Sequence, residues 1–158
     1  DGGQREREPI YVECRAEGLL IHPERTVVPL ADLEDAVDRI GPVMRSAVDK
    51  ARSQTGIRYI DSTSERDRLI RAYQGILAER LQGDPHPCYG HLVRMIRQDQ
   101  AYTVLLVRPD GLESFRLGQQ LLENTQLDYG YDPVYASGEI RLRDRTSASQ
   151  SPTVGDGH

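Results

Sequence analysis

The chain has 158 residues and a net charge of −5, with an isoelectric point near 5.4. That length suits one domain able to bury roughly 70% of its unfolded surface, and the acidic balance excludes nucleic acid as the expected partner, because phosphate neutralisation demands a basic face. No apolar run approaches the ~18 residues of a membrane span, and the opening DGGQREREP is no signal peptide.

Residues 1–8 are polar and are expected to form a disordered extension. A start without Met followed by charged residues is what a piece of a longer protein would show. IYVEC (10–14) and LLIH (19–22) flank Arg15-Ala16-Glu17-Gly18, and Gly18 can supply the positive φ of a hairpin turn. A second turn, His22–Arg25, leads to Thr26-Val27-Val28 as a third strand of the same meander. Leu30, Leu33, Val37, Ile40, Met44 and Val48 then follow steps of three and four, the stripe of an amphipathic helix. Gly41-Pro42 interrupts it. Proline inside a helix costs about 3 kcal/mol, so a kink, or a new helix with Pro42 at its first position, is expected.

Residues 56–60 read as a short strand or an extended linker. Ser62 and Glu65 make a capping box, and Leu69, Tyr73, Ile76 and Leu77 build the next apolar stripe to about Leu81. Gly83–Pro87 is a loop, and Leu92, Val93, Met95 and Ile96 form a short helix to about Gln98. VLLV (104–107) has the continuous apolar character of a central strand. After Arg108-Pro109, Asp110 is positioned as an N-cap with Glu113 as its capping partner, and Leu112, Phe115 and Leu122 are expected to face the sheet. A strand follows around Asp128–Tyr135, then Gly138 and IRLR (140–143), and the Ser/Thr/Gly-rich tail from Asp144 is expected to be disordered. Strand, helix and strand over 102–135 make a right-handed βαβ unit.

The resulting expectation is an α/β fold of α+β type. It has a small mixed sheet with an N-terminal β-hairpin, a C-terminal βαβ unit, and helices packed on one face. A single domain spans 9–143, with a helical insertion at 50–100 and a tail at 144–158.

The segment VECRAEGLLIHPERTVVPLADLEDAV (12–37) resembles the opening of the periplasmic domain of the ExbD/TolR biopolymer-transport family, and the closing βαβ unit resembles that family's second half. Together these cover about half the chain. Residues 50–100 depart from the family, which needs only a short connection there. VECRAEG and VRPDG are also similar to extracytoplasmic domains of uncharacterised planctomycete membrane proteins. The resemblance implies a membrane-tethered, extracytoplasmic partner of a proton-driven transport system, or a cell-wall-binding module, and no catalysis. The family's functional aspartate lies in its transmembrane helix, so no residue here inherits that role. Any membrane attachment would run through segments outside this chain.

Candidate chemistry is sparse. Cys14 and Cys88 cannot make a disulfide framework; one bridge or two buried thiols are the alternatives. His86, Cys88 and His91 have zinc-ligand character, with Cys88 and His91 at i, i+3 and His86 reaching from the loop. A second ligand pair is absent nearby, and His22 and Cys14 are the only remote candidates, so a loop-to-helix junction around a buried Cys88 is the simpler reading and no metal or cofactor is expected. A Cys–His nucleophile from the same residues would need an oxyanion site that spacing does not supply. Arg108 and Asp110 lie at the carboxyl end of a central strand, where open α/β sheets often bind ligands. Asp110 as a cap would nonetheless repel an anion from that helix end. Nineteen Arg against one Lys reflect GC-rich codons more simply than phosphate recognition. Tyr129, Tyr131 and Tyr135 alternate along one strand, either packing a sheet face or forming a partner-binding aromatic strip.

The leading expectation is therefore a non-enzymatic interaction module that binds a protein partner or itself through a sheet edge. The alternatives are an enzyme or metal-binding domain using the His86–His91 loop, and a cytoplasmic adaptor without a tether.

Overall fold

The computed structural model describes residues 8–98 and 101–135. Of the extension expected at 1–8, Glu8 instead opens the first strand, while residues 1–7, the tail from Asp144 and the IRLR segment lie outside that range. The first strand, β1 (Glu8–Arg15), is followed by β2 (Gly18–Ile21) and β3 (Thr26–Pro29). Helices α1 (Leu30–Thr55), α2 (Thr63–Gln82) and α3 (Pro87–Arg97) come next, and β4 (Ala101–Val107), α4 (Leu112–Asn124) and β5 (Tyr129–Pro133) close the described chain. Among the described residues the strands form one sheet in the order β3-β2-β1-β4-β5. Pairing is antiparallel through β3, β2 and β1 and parallel from β1 to β4 to β5. The fold is thus α/β with a mixed sheet, an N-terminal hairpin and a C-terminal βαβ unit.

Period-2 alternation divides the sheet's two faces. Val12, Cys14, Leu19, Ile21, Val28 and Leu105 join one apolar core with residues of all four described helices. Tyr11, Leu106 and Val134, with Val104 against them, form a smaller cluster that takes the alternate positions. Gly18 has φ +147°, and a Cβ there would lie 2.1 Å from the Val28 carbonyl oxygen. Only glycine lets β2 start so close to β3.

Several local expectations are corrected. Pro42 does not begin a new helix, because α1 runs through it as one element. Burial of Leu33, Ala36 and Ile40 before it, and of Ala47 and Ala51 after it, outweighs the missing hydrogen bond. Those alanines make the close contacts of α1, whereas Val37, Met44 and Val48 of the expected stripe are only partly buried. Residues 56–60 form an irregular linker, without a strand. The Ser62 cap is present, its Oγ accepting from Glu65 N at 3.1 Å; Glu65 reaches back to Asp61 N at 2.8 Å. The third helix starts at Pro87, a turn earlier than expected, with the missing proline N–H in the first turn, where no partner is needed.

Asp110 is not the cap of α4. The N-cap is Gly111, with no side-chain cap bond, and Glu113 pairs instead with Arg116 at 2.7 Å. A Cβ at Gly111 would sit 1.9 Å from the Cys14 carbonyl oxygen, so the chain turns here by pressing its backbone onto the end of β1. That close approach sets the start of the helix in place of the Asp side chain. It also rotates Leu112 into solvent, 62% exposed, and leaves Leu117, Leu121 and Leu122 as the buried face.

Candidate functional site

The three groups of candidate residues fall in three separate places. His86 ends the 83–86 loop as the N-cap of α3: its Nδ1 accepts from Cys88 N at 3.2 Å, and its Nε2 donates to Asp35 Oδ2 at 3.0 Å. Both ring nitrogens are therefore occupied, Nδ1 in capping α3 and Nε2 in tying that cap to α1. The ring also lies 4.8 Å from that of Tyr89. The Cys88 thiol is buried and donates to the Asp32 carbonyl at 3.7 Å. Burial, reinforced by Asp32 and Asp35, pushes it up to about 12. His91 lies further along α3 at the wall of a small apolar cavity with Leu92, Met95 and Gly118, where burial and then Arg94 hold its pKa down. Among the described residues no three His, Cys, Asp or Glu side chains gather as a metal-ligand group. This junction is a helix cap with an inert thiol.

Cys14 is likewise a free, fully buried thiol, pushed up to about 12 by burial and then by the charge of Glu13. Neither cysteine offers a thiolate near neutral pH.

The crevice at the carboxyl ends of β1 and β4 is filled by the protein's own chain. Arg108 N donates to the Cys14 carbonyl at 3.1 Å, and Ser114 Oγ to the Arg15 carbonyl at 2.5 Å. Gly111 lies between these bonds. Asp110 is exposed in the turn. Arg108 does not face an open loop; it folds back onto Glu13.

That contact belongs to a cluster that the motif reading missed. Glu13 is fully buried in β1. Its Oε1 accepts from Arg15 Nε at 3.0 Å and Arg108 Nε at 3.1 Å, and its Oε2 from His22 Nε2 at 2.7 Å. Burial alone would raise this carboxyl. The bonds from His22, Arg15 and Arg108 outweigh it and hold the pKa below the usual value. One carboxylate thereby fastens β1 to the end of β2 and to the end of β4. A signal was present in the sequence, since Glu13 is the one charge inside the run IYVEC, at an interior strand position where a charge needs partners. Arg15 lies two residues on along the same strand, but His22 and Arg108 lie one strand and one crossover away, and no local spacing points to them. Without solvent contact and already ionised, this group is placed as a clamp and not as an acid or base.

The tyrosines sit on and beyond the outer strand. Tyr129 is half-buried; its hydroxyl donates to Glu123 Oε2 at 2.6 Å and accepts from Gln119 Nε2 at 2.7 Å, fastening β5 to α4. Tyr131 is 64% exposed and leans on Phe115, with ring centroids 5.4 Å apart. Tyr135 lies past the end of β5, not within it, and is 85% exposed. The Asp128 carbonyl accepts from Thr103 N and Val134 N donates to the Val107 carbonyl. Alternation then turns the backbone of Tyr129 and Tyr131 away from β4, toward the edge of the sheet. Pro133 has the same orientation but no N–H. The edge thus offers a short pair of donors beside an aromatic surface.

No helix among the described residues is long and apolar enough to cross a membrane. No known protein family, characterised protein or solved structure matches this chain.

Proposed function

We propose that this chain is a non-enzymatic, extracytoplasmic interaction module that binds a protein partner through the edge of β5. The observation that carries the reading is Tyr131, exposed on an outer strand, braced by Phe115, and flanked by backbone groups that face away from the sheet. An extended segment can add to such an edge through main-chain bonds, with Tyr131 and Tyr135 supplying contact area at low entropic cost. Pro133 shortens the usable edge, which suits a weak and regulated contact better than a permanent one. The charge of −5 keeps the surface soluble.

The resemblance of 12–37 and of the βαβ unit to the ExbD/TolR periplasmic domain supports the same direction. In that reading the module is membrane-tethered through segments outside this chain and serves a proton-driven transport system. The site chemistry adds support: the buried thiols near 12 and the capped His86 leave the rival enzymatic or metal-binding use of the His86–His91 loop without an assembled centre among the described residues.

The test is site-specific photo-crosslinking. A photoreactive phenylalanine analogue in place of Tyr131, in the full protein in its native cells, is expected to trap a discrete protein partner. Tyr131→Pro should abolish the interaction, because it removes an edge donor without removing a bond to β4. A single small molecule held in an enclosed cavity, with no protein trapped at position 131, would overturn the proposal. Recovery of the protein in the cytoplasmic fraction would overturn its extracytoplasmic part alone.

A further inference from the structure

The helical insertion leaves a groove of about 470 Å³ between α1, α2 and the end of α4, floored by Met44, Val48, Leu69, Ile70 and Tyr73. Its ends carry opposite charges. Arg66 stands at one end, in the first turn of α2, with no side-chain ion pair or hydrogen bond among the described residues. Glu123 stands at the other, on the last turn of α4, with one carboxylate oxygen accepting from the Tyr129 hydroxyl at 2.6 Å and its charge not met by a cation among the described residues. The end of α4 is fixed there by Tyr73 Oη, which donates to the Asn124 carbonyl at 2.7 Å, and by Gln74 Nε2, which donates to the Thr125 and Gln126 carbonyls at 3.1 and 2.8 Å. Seven residues of helix separate Arg66 from Tyr73, so the charged ends lie on the order of 10 Å apart along the groove.

At the Arg66 end the α1–α2 linker holds out two large apolar side chains, Tyr59 at 81% exposure and Ile60 at 52%. The linker is anchored on both sides of them. Gly56 N bonds back to the Arg52 carbonyl, Ile57 is buried, and Ile57 N bonds to Thr55 Oγ1 at 3.2 Å. On the far side Asp61 N bonds to Glu65 Oε1 and Ser62 caps α2. Tyr59 and Ile60 are thus presented on a short, tied loop, with little ordering left to lose on contact.

We propose that this helical face is a contact between two copies of the chain. A two-fold interface must be complementary to itself, and this surface is: it has a cation and an apolar protrusion at one end, an anion at the other, and an apolar floor between. With the axis through the middle of the groove, Arg66 of each copy meets Glu123 of the other, and each Tyr59 enters the partner's groove toward Tyr73 while Ile60 lines its own. A single apolar carboxylate would satisfy Arg66 but would meet Glu123 and leave Tyr59 in water, which disfavours it as the occupant. The surface shares Glu123 with the Tyr129 bond that fastens β5, but it does not depend on the function assigned to that edge.

The experiment is charge exchange read by sedimentation equilibrium. Arg66→Glu and Glu123→Arg, both at exposed positions, are each expected to weaken the dimer about tenfold or more, because each sets like charges against one another twice. An equimolar mixture of the two variants restores association as a heterodimer, and the double exchange R66E/E123R restores it as a homodimer. Tyr59→Ser weakens the dimer, whereas Tyr131→Ala leaves it unchanged. A wild-type chain that stays monomeric to about 1 mM, a dimer indifferent to these charge reversals, or a mixture of variants that fails to associate would each overturn the proposal. So would a bound apolar carboxylate found in the groove of a monomer.

Discussion

The two faces of the sheet solve the same burial problem by opposite means. On the helical side, Val12, Cys14, Leu19, Ile21 and Leu105 meet α1, α3 and α4 in one extended apolar cluster. On the other side, one strand step away, Glu13 is fully buried next to Tyr11 and Leu106, held by His22, Arg15 and Arg108. Apolar contact is non-directional and is spread over many side chains. The ionic cluster is directional and converges on one carboxylate. The first arrangement tolerates conservative change; the second concentrates its vulnerability in a single residue. This also explains why a domain with plentiful charge presents so little chemistry: its best-placed charge is used to join three strands.

The sharpest way to break that comparison is Glu13→Ala. Removing one partner of a buried ion cluster strands the remaining charges and typically costs about 3–5 kcal/mol. The Arg108 and His22 side chains would lose a common acceptor, and the ends of β1, β2 and β4 would part. Leu105→Ala on the opposite face removes a side chain of similar burial, and its expected cost of about 2–5 kcal/mol comes from lost contact and a cavity. The two are distinguished by rescue: Leu105→Met should recover most of the loss, whereas Glu13→Gln, nearly the same shape, should not. Urea unfolding of the four variants gives the comparison directly. Equal tolerance of Glu13→Gln and Leu105→Met would remove the distinction between the faces.

The same carboxylate carries a pH signature. Its pKa in the folded protein is lowered, so its contribution is complete above the ordinary value of 4.5 and is lost as pH falls through the folded one. Wild-type stability should therefore drop on acidification below about pH 4.5, and Glu13→Gln should show a flatter profile over that window. Identical slopes in the two proteins would mean that other carboxylates govern acid unfolding.

A smaller effect concerns the thiols. Cys14 lies on the apolar face of β1, next in the chain to Glu13, and Cys88 lies under α1; both are pushed from an ordinary 9.0 up to about 12. Three units leave about a thousandfold less thiolate at neutral pH, before exclusion of the reagent is counted. Iodoacetamide should leave both unmodified in the native protein and label both after unfolding, and fast native labelling of Cys88 would reopen a chemical role for the His86–His91 loop.

What could be read from the sequence follows the range of the interactions involved. The hairpin at Gly18, the Ser62 cap and the strand-helix-strand order at the end are local patterns, and they stand in the structure as the residues suggest. One local reading failed because tertiary contact overrode it: α4 starts at Gly111 because the backbone of β1 lies against that turn. At Pro42 one of two alternatives fell, since α1 continues as a single helix with its alanines buried on both sides. Of the candidate sites, the His86–His91 stretch looked chemical because ligand-type residues cluster in sequence; in space their polar atoms cap a helix and bond a carbonyl. Glu13 was overlooked for the converse reason. Its partners come from positions 2, 9 and 95 residues away, and only the sheet's parallel β1–β4 pairing brings the farthest of them to it.

The smallest expected effect on stability bears most on function. Tyr131 projects toward the α4 side of β5, yet it remains 64% exposed and touches Phe115 at the rim of the main core. Tyr131→Ala forfeits that ring contact, worth about 0.5–1.5 kcal/mol, and little else. Tyr129, two residues earlier and bonded to both Gln119 and Glu123, holds the strand to α4. Tyr129→Phe, which keeps the ring and removes only the hydroxyl, should cost about 1 kcal/mol or somewhat more through those two bonds. The pair separates a residue that builds the edge from one that is presented by it. If Tyr131 serves a partner, its alanine variant will retain nearly full stability in urea titration while losing partner crosslinking from neighbouring position 135. If Tyr131→Ala unfolds the domain as readily as a core substitution, its exposure has a structural cause, and the aromatic strip ceases to support an interaction surface.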